Sequence, residues 1–230
     1  MFFDYYYLVL IVPTIILSLI AQIMVKSTFA KYSKIKCSRR ITGQDSAALL
    51  LKSNSILDVK IEAVSGSLTD HYDPSSKVVR LSRPVYGENS IAAVGVAAHE
   101  TGHAIQHALS WGPLALRSGL YPVANIGSML GPYIAMAGLF FSDQTFGPIL
   151  FNIGILLFGG AVLFYLITLP VEFNASSRAI AILRDNNVLT EDELRGVKKV
   201  LTAAAMTYVA SALTALMSLF RLILLSRRRN

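Results

Sequence analysis

The segment GLYPVANIGSMLGPYIAMAGLFFSDQTFGPILFNIGILLFGGAVLFYLITLPV, residues 119–171, decides the fold because it contains a single charged residue, Asp143. The runs on either side of that residue, 119–142 and 144–171, are free of charge. Each is long enough to cross a hydrocarbon core of about 30 Å, which takes about 20 helical residues. Two such spans form a hairpin, which returns the chain to the side of the membrane that it left.

The rest of the composition also favours lipid surroundings. Of the 230 residues, 53% are hydrophobic and 15% are charged, whereas soluble domains are about one quarter charged. Residues 5–25 form another charge-free run, interpreted as a retained transmembrane anchor because no basic residue precedes it. Cleavage after Ala30 is the alternative. A fourth apolar run, 201–225, is interrupted by Arg221, so three or four spans are predicted.

Upstream of the hairpin, the segment VGVAAHETGHAIQHAL, residues 94–109, contains the motif H-E-x-x-H as His99, Glu100 and His103. Helical residues four apart lie on one face, one turn apart. Two imidazoles at this spacing can bind one metal ion, while Glu100 beside that face can hold and deprotonate a water on the metal. Zinc lowers the pKa of such a water to about 7 and polarises a substrate carbonyl. The motif therefore predicts a zinc site.

Two histidines are too few for a catalytic zinc, which usually takes three protein ligands and a water. His107 lies one further turn along the same helix. Three histidines on one straight helix cannot surround one ion. His107 is therefore interpreted as a solvated residue or as one that contacts a ligand without binding the ion itself. No histidine follows it in the chain. The third ligand is therefore a carboxylate or, from upstream, His71.

The hairpin selects among the downstream carboxylates. Asp143 lies at its far turn, about a membrane thickness away, and is excluded. Glu172 comes directly after the second span and Pro170, so it is expected to emerge on the side of the H-E-x-x-H helix and to open a new helix there. It is predicted to be the third ligand. The alternative is an acid in the first turn that complements the helix dipole.

The residues after Glu172 supply candidates for the surroundings of the metal. Ser176 lies four residues further on and is a candidate to hydrogen-bond a ligand imidazole from behind. Arg178 is a candidate to orient a carboxylate, whereas Asn174 is expected to point elsewhere. A purely structural helix would carry serine and arginine at these positions about as often, so that interpretation stays open.

With these residues assembled, the sequence resembles the YugP-type membrane zinc metallopeptidases. The resemblance is carried by GSLTDHYDP…VVRLS (66–82), AAHETGHAIQH (97–107), LPVEFNASSRA (169–179) and LTAAAMTYVA (201–210). It implies a gluzincin-like endopeptidase with one catalytic zinc ion bound by His99, His103 and Glu172, and with Glu100 as general base. Integral-membrane proteases of related site architecture usually place an aspartate where this chain has Ser176, which is a departure from their pattern.

The resemblance also implies a role for the segment that precedes the metal motif. Gluzincins flank the active-site helix with an edge strand that receives the substrate backbone. A strand near 66–72 or 77–82 is expected to do so by β-addition. His71 or Tyr72 is then a candidate to stabilise the oxyanion of the reaction. The alternative for His71 is a turn residue that is hydrogen-bonded to a neighbouring aspartate.

The predicted fold class is a mainly α integral membrane protein with three or four transmembrane helices and a small α+β zincin-like region. Within that region, a helix is predicted from Thr42 to Leu51, strands at 59–64 and 77–82, and a cap at Asn89 or Ser90 for the H-E-x-x-H helix. The predicted segments are an anchor (1–25), a basic segment with the catalytic region (26–118), a two-span hairpin (119–170), a helix with the third zinc ligand and a following helix (171–200), and an apolar transmembrane or interfacial helix with a basic tail (201–230).

Basic clusters predict the side of the membrane. Residues 26–40 contain six Lys or Arg and no acid, and further basic residues lie in 178–199. Such clusters beside membrane spans are typical of cytoplasmic segments and of contact with anionic lipid. A multi-pass cell-membrane protein with its site on the cytoplasmic side is therefore expected. The basic end of the chain, 226–230, runs against this rule if 201–225 spans fully.

The predicted function is that of a zinc endopeptidase that hydrolyses polypeptides, membrane proteins among them, at the bilayer surface. Nucleic acid is not an expected partner, because the basic clusters adjoin membrane spans. The alternative is a non-catalytic metal-binding adaptor or assembly factor. A fourth protein ligand would then complete the coordination of its zinc. His71 is the one candidate for that position. A metal transporter would need ionisable residues within its spans, and the first three runs carry essentially none.

Overall fold

A computed structural model describes residues 4–227 of the chain. They form two compact units. One unit contains the described residues up to Ala21, Ala115–Pro170 and the described residues from Thr207 onward; the other contains Gln22–Leu114 and Val171–Met206. The helices are α1 (Val12–Tyr32, preceded by a π-helical turn, Tyr7–Ile11), α2 (Gly43–Ser53), α3 (Arg83–Tyr86), α4 (Ile91–Ala108), α5 (Gly112–Phe140), α6 (Gly147–Asp185) and α7 (Glu191–Arg227). The strands are β1 (Lys60–Val64), β2 (His71–Asp73) and β3 (Val78–Ser82).

Four helices among the described residues are long and apolar enough to cross a membrane, judged by length and composition. They are the segment Tyr7–Tyr32 and the helices α5, α6 and α7. Together with the small mixed sheet, they confirm the predicted fold class, a mainly α membrane protein with three or four spans. The structure adds that the fourth apolar run belongs to a helix long enough to span.

The segment predicted as a two-span hairpin forms α5 and α6, which are joined by a short turn around Asp143. Small residues let the two helix backbones approach each other closely. A Cβ atom on Gly138 would overlap the backbone of Phe151, and one on Gly154 would overlap the backbone of Ala135. In lipid, the hydrophobic effect does not drive helices together. Membrane helices therefore often associate through close packing at small residues.

Arg221, which interrupts the fourth apolar run, has a partner. Its Nη2 lies 2.5 Å from Oδ2 of Asp4, and both side chains are 14% exposed. The guanidinium also lies over the ring of Tyr7, 5.4 Å from its centroid. Charges at membrane depth are tolerated when they pair with one another. The ion pair thus compensates the charge that counted against a fourth span in the sequence.

The prediction that Glu172 opens a helix is wrong. Helix α6 runs without interruption from Gly147 to Asp185 and contains Pro170 in its interior. A proline removes one backbone N–H from the helical ladder, and membrane helices tolerate this where neighbouring groups compensate. Glu172 therefore does not lie in the first turn of a helix, and the alternative role of an acid that complements a helix dipole has no basis in this structure.

Three helices begin at capping residues within the second unit, and the starts of α2 and α4 were predicted. Thr42 and Asp45 form a capping box at α2, in which each side chain accepts a hydrogen bond from the other residue's N–H. Ser90 caps α4 through its hydroxyl oxygen. Thr190 and Glu193 form the equivalent reciprocal pair at the start of α7. Such caps satisfy N–H groups that the first turn of a helix leaves without an internal acceptor.

The small sheet has the order β1-β3-β2. The central strand β3 pairs in parallel with β1, with Val79 opposite Ile61, and antiparallel with β2, with Val79 opposite Tyr72. Both strands predicted at 59–64 and 77–82 are thus confirmed. Buried apolar side chains of α2, α4 and β3 share one core, which includes Ala47, Leu51, Val79, Leu81 and Ile105. That core holds α4, the helix of the H-E-x-x-H motif, against the sheet.

Candidate metal centre

Helix α4 carries the motif and lies backbone to backbone against α6. At their point of contact, a Cβ atom on Gly102 would lie only 2.6 Å from the carbonyl oxygen of Ala175. A side chain at position 102 would therefore force the helices apart. Because Gly102 lies between His99 and His103 in the motif, the close approach brings both imidazoles to the turn of α6 that carries Glu172.

The structure brings the three predicted ligands together. Nε2 of His99 lies 3.3 Å and Nε2 of His103 lies 3.5 Å from Oε2 of Glu172. The three ligand atoms all lie within 4.8 Å of one another, and no other group of three or more His, Cys, Asp or Glu side chains placed to hold a metal ion occurs within residues 4–227. The side chain of Glu172 is 3% exposed, so it faces the imidazoles rather than solvent.

The chemistry and spacing of this donor set fit zinc. Two imidazole nitrogens and one carboxylate oxygen are ligands that zinc accepts, and three protein ligands are typical of a catalytic site. Tetrahedral zinc with bonds of about 2.0–2.2 Å places neighbouring ligand atoms about 3.4 Å apart. The two nitrogen–oxygen distances, 3.3 Å and 3.5 Å, match that separation.

Glu100 is half-buried beside the cluster and is not one of its three members. Its position follows from the helix, because a residue adjacent to His99 cannot share the face on which His103 lies. Burial lowers the pKa of His103, but a hydrogen bond and the charge of Glu172 outweigh burial, and the charge of Glu100 adds to them. The pKa of His103 is therefore held above its usual value, which reports the concentration of negative charge at this point.

A further side chain contacts the Nδ1 atom of each ligand imidazole. Nδ1 of His99 lies 3.0 Å from the hydroxyl oxygen of Ser176, the contact that the spacing from Glu172 predicts. Nδ1 of His103 lies 3.0 Å from Oε1 of Gln106, a wholly buried side chain. Sequence reasoning missed Gln106. Its signal was the spacing of three residues from His103, which places both on one helix face.

The prediction that Asn174 points elsewhere is wrong. Its Oδ1 accepts hydrogen bonds from Nε2 of Gln106 at 3.0 Å and from Nε of Arg178 at 2.7 Å. Arg178 thus orients an amide, whereas the sequence suggested a carboxylate. Asn174 lies outside the four-residue periodicity that relates Ser176 to Glu172. Val171, Asn174 and Arg178 form a second stripe at spacings of three and four residues, and this stripe faces α4.

His71 lies away from the metal cluster. It is exposed on β2, and its Nδ1 donates to the carbonyl oxygen of Thr69 at 2.8 Å. The alternative prediction, a hydrogen bond to a neighbouring aspartate, is wrong, because the carboxylate of Asp70 accepts from Ser82 instead. Among the described residues, His71 is not a member of the group that could hold a metal.

Tyr72, the neighbouring candidate, contacts α4 directly. Its hydroxyl lies 2.8 Å from Nδ1 of His107, so His107 has a specific partner in β2. Burial and the negative charges of Asp58 and Asp73 raise the pKa of Tyr72 to about 12. The phenol therefore stays protonated near neutral pH. Both rings line a cavity of about 480 Å³ beside the last turn of α4, together with Ile105.

Comparisons with known proteins point to a family of zinc peptidases. The family model described as "Putative neutral zinc metallopeptidase" matches residues 7–227. A curated relative from Bacillus subtilis (strain 168), named "Putative membrane protease YugP", is 49% identical over 209 residues, which cover 91% of each of the two chains. No solved structure matches the chain.

Proposed function

Because the chain belongs to this family of neutral zinc metallopeptidases, we propose that it is a membrane-embedded, gluzincin-like endopeptidase that hydrolyses peptide bonds at the membrane surface. The observation that carries the proposal is the convergence of His99, His103 and Glu172, whose ligand atoms lie within 4.8 Å of one another beside the motif residue Glu100. Four apolar helices and the 49% identity to a protein named a membrane protease support the membrane setting.

The two histidines and Glu172 would hold one zinc ion. When bound, zinc supplies a Lewis acid that activates a water and polarises the scissile carbonyl. The protein holds three ligand groups in position before any substrate arrives, and among the described residues there is no fourth group in the cluster. A site with three protein ligands has room for water and substrate, which favours a peptidase over an adaptor that keeps a structural metal.

Glu100 acts in this proposal as the general base. Its partial exposure gives the carboxylate access to water, and its place beside His99 keeps it close to the cluster without joining it. The carboxylate accepts the proton of the attacking water and then passes it to the leaving amine.

The polypeptide substrate is proposed to bind along β2. This strand is at an edge of the sheet, so one row of its backbone groups is available for β-addition by an extended peptide. Tyr72 contacts His107 of the motif helix and offers a neutral hydroxyl near that edge. The cavity of about 480 Å³ beside these rings has room for a substrate side chain. A membrane protein with an exposed juxtamembrane segment is a suitable substrate class.

Removal of the metal tests the proposed function. We expect the purified full-length protein in detergent to cleave an unfolded protein substrate, to lose cleavage when a chelator removes the metal, and to regain it with one equivalent of zinc per chain. The physical reason is that the three ligand groups alone cannot activate water. Cleavage that persists after the zinc content has fallen to zero, as measured by elemental analysis, would contradict the proposal.

The cytoplasmic side is proposed for the metal centre, on the basis of the basic cluster at 26–40. Two exposed positions serve as reporters: Ser75, in the β2–β3 turn, and Thr145, in the α5–α6 turn. A membrane-impermeant thiol reagent applied to intact cells is expected to label Thr145→Cys but not Ser75→Cys. The native Cys37 is buried and gives little background. The reverse labelling pattern would place the site outside.

A further inference from the structure

A series of buried and partly buried polar side chains leads from α6 to His103. Nε of Arg178 donates to Oδ1 of Asn174 at 2.7 Å, and Nε2 of Gln106 donates to the same oxygen at 3.0 Å. Nε2 of Gln106 also donates to the backbone carbonyl of Val171 at 2.9 Å. Oε1 of Gln106 then lies 3.0 Å from Nδ1 of His103. Gln106 has no exposed surface, so water cannot replace the partners of its own amide.

The direction of every hydrogen bond in this series is determined by its two ends. A guanidinium only donates and a backbone carbonyl only accepts. Asn174 must therefore turn its oxygen toward Arg178, and Gln106 must turn its NH₂ group toward Val171 and Asn174. A flipped Gln106 would set its oxygen against two acceptors, and buried polar groups left without partners are destabilising. The amide orientation of Gln106 is thus determined chemically.

The consequence reaches His103. Because Oε1 of Gln106 only accepts, Nδ1 of His103 must carry the hydrogen. A neutral imidazole with its hydrogen on Nδ1 has its lone pair on Nε2, the nitrogen that lies 3.5 Å from Oε2 of Glu172. We propose that Arg178, Asn174 and Gln106 form a directional relay that selects this tautomer of His103 and presents Nε2 to the metal.

The other ligand histidine is held differently. Nδ1 of His99 contacts the hydroxyl of Ser176, and a hydroxyl both donates and accepts. Ser176 therefore supports the position of His99 without selecting its tautomer. The relay gives Gln106, Asn174 and Arg178 the status of positioning residues, since they act on the metal only through His103. This inference rests on the proposed zinc site, but it does not depend on the nature of the substrate.

Two substitutions at Asn174 test the relay with matched side chains. Asn174→Asp keeps an oxygen that accepts from both Arg178 and Gln106, whereas Asn174→Leu has a similar size and no acceptor. Asn174 is only partly buried, so both variants should fold. We expect zinc affinity close to that of the wild type for Asn174→Asp and a clear fall for Asn174→Leu. The largest fall, about 10- to 100-fold, is expected for Gln106→Leu, as for other partners of ligand histidines.

The measurement is competition between a chelator and the zinc-loaded, full-length protein in detergent. Equal zinc affinity in all variants would overturn the relay. So would an equal loss in Asn174→Asp and Asn174→Leu, because the shape of the side chain would then matter and its acceptor would not. If Gln106→Leu does not fold, the Asn174 pair decides the outcome alone. A chain that shows the expected order of affinities but cleaves no protein supports the relay and overturns the proposed peptidase function. A wild-type chain that binds no zinc overturns both.

Discussion

The Glu100→Gln variant is expected to bind zinc as the wild type does and to lose proteolysis by about 10²- to 10⁴-fold, the usual contribution of a general base. Glutamine keeps the size of the side chain, but its amide cannot take a proton from the attacking water. Glu100 lies outside the group of three candidate ligands, so the metal should stay in place. Initial rates on an unfolded protein substrate, together with zinc content per chain, measure the two effects separately.

The matched control for this variant is Glu88→Gln. Glu88 is exposed and pairs with Lys36 at 2.6 Å, and a surface ion pair contributes about 0–1 kcal/mol. The control should retain both activity and zinc. Glu100 is not the base if Glu100→Gln cleaves at the wild-type rate while its zinc content is unchanged. Loss of zinc in that variant would instead mean that Glu100 supports the binding of the metal.

Substitution of Glu172 is expected to remove the metal itself. In the Glu172→Gln variant, a neutral amide replaces the one anionic donor of the cluster, and only His99 and His103 remain as strong ligands. Loss of a residue that hydrogen-bonds a metal ligand lowers metal affinity by about 10–100-fold. Loss of a direct ligand should therefore lower the affinity by more than about 100-fold. Chelator competition measures the affinity, and proteolysis at substoichiometric zinc should fall with it.

A charge-matched control lies on the same helix. Asp185 is the last residue of α6 and is exposed, so Asp185→Asn changes the net charge of the helix by the same amount without touching the cluster. It should bind zinc like the wild type. Equal zinc affinity in Glu172→Gln and the wild type would exclude Glu172 as a ligand. The third position would then have to be filled by another group.

Local sequence patterns predicted much of the fold and the centre of the site. Charge-free runs, capping residues such as Thr42 and the H-E-x-x-H spacing act over one element of secondary structure, so a single sequence displays them. Glu172 was found across some seventy residues because membrane spans constrain topology: a two-span hairpin must return the chain to the same side. The prediction of a helix start at Pro170 failed because proline reports a local preference, which the long apolar helix α6 overrides.

The residues that hydrogen-bond the ligand histidines, directly or through Gln106, were predicted less well. Ser176 was predicted because a four-residue step from Glu172 is a periodic signal. Gln106 was missed although its three-residue spacing from His103 is a local signal. The contact of Asn174 with Gln106 was missed because it depends on which stripe of α6 faces α4. The close approach of Gly102 to Ala175 sets that rotation, and no periodicity within either helix contains it.

The sequence by itself determined that this chain is a helical membrane protein with a two-histidine metal motif and a carboxylate returned to it by a hairpin. These features follow from hydropathy and spacing, which are properties of consecutive residues. Only the tertiary structure decided that Glu172 lies 3.3 Å from His99, that Arg221 pairs with Asp4, and that Gln106 contacts Asn174. Each of these depends on the angle and separation of two packed helices, which are determined by side-chain contacts between residues far apart in the chain.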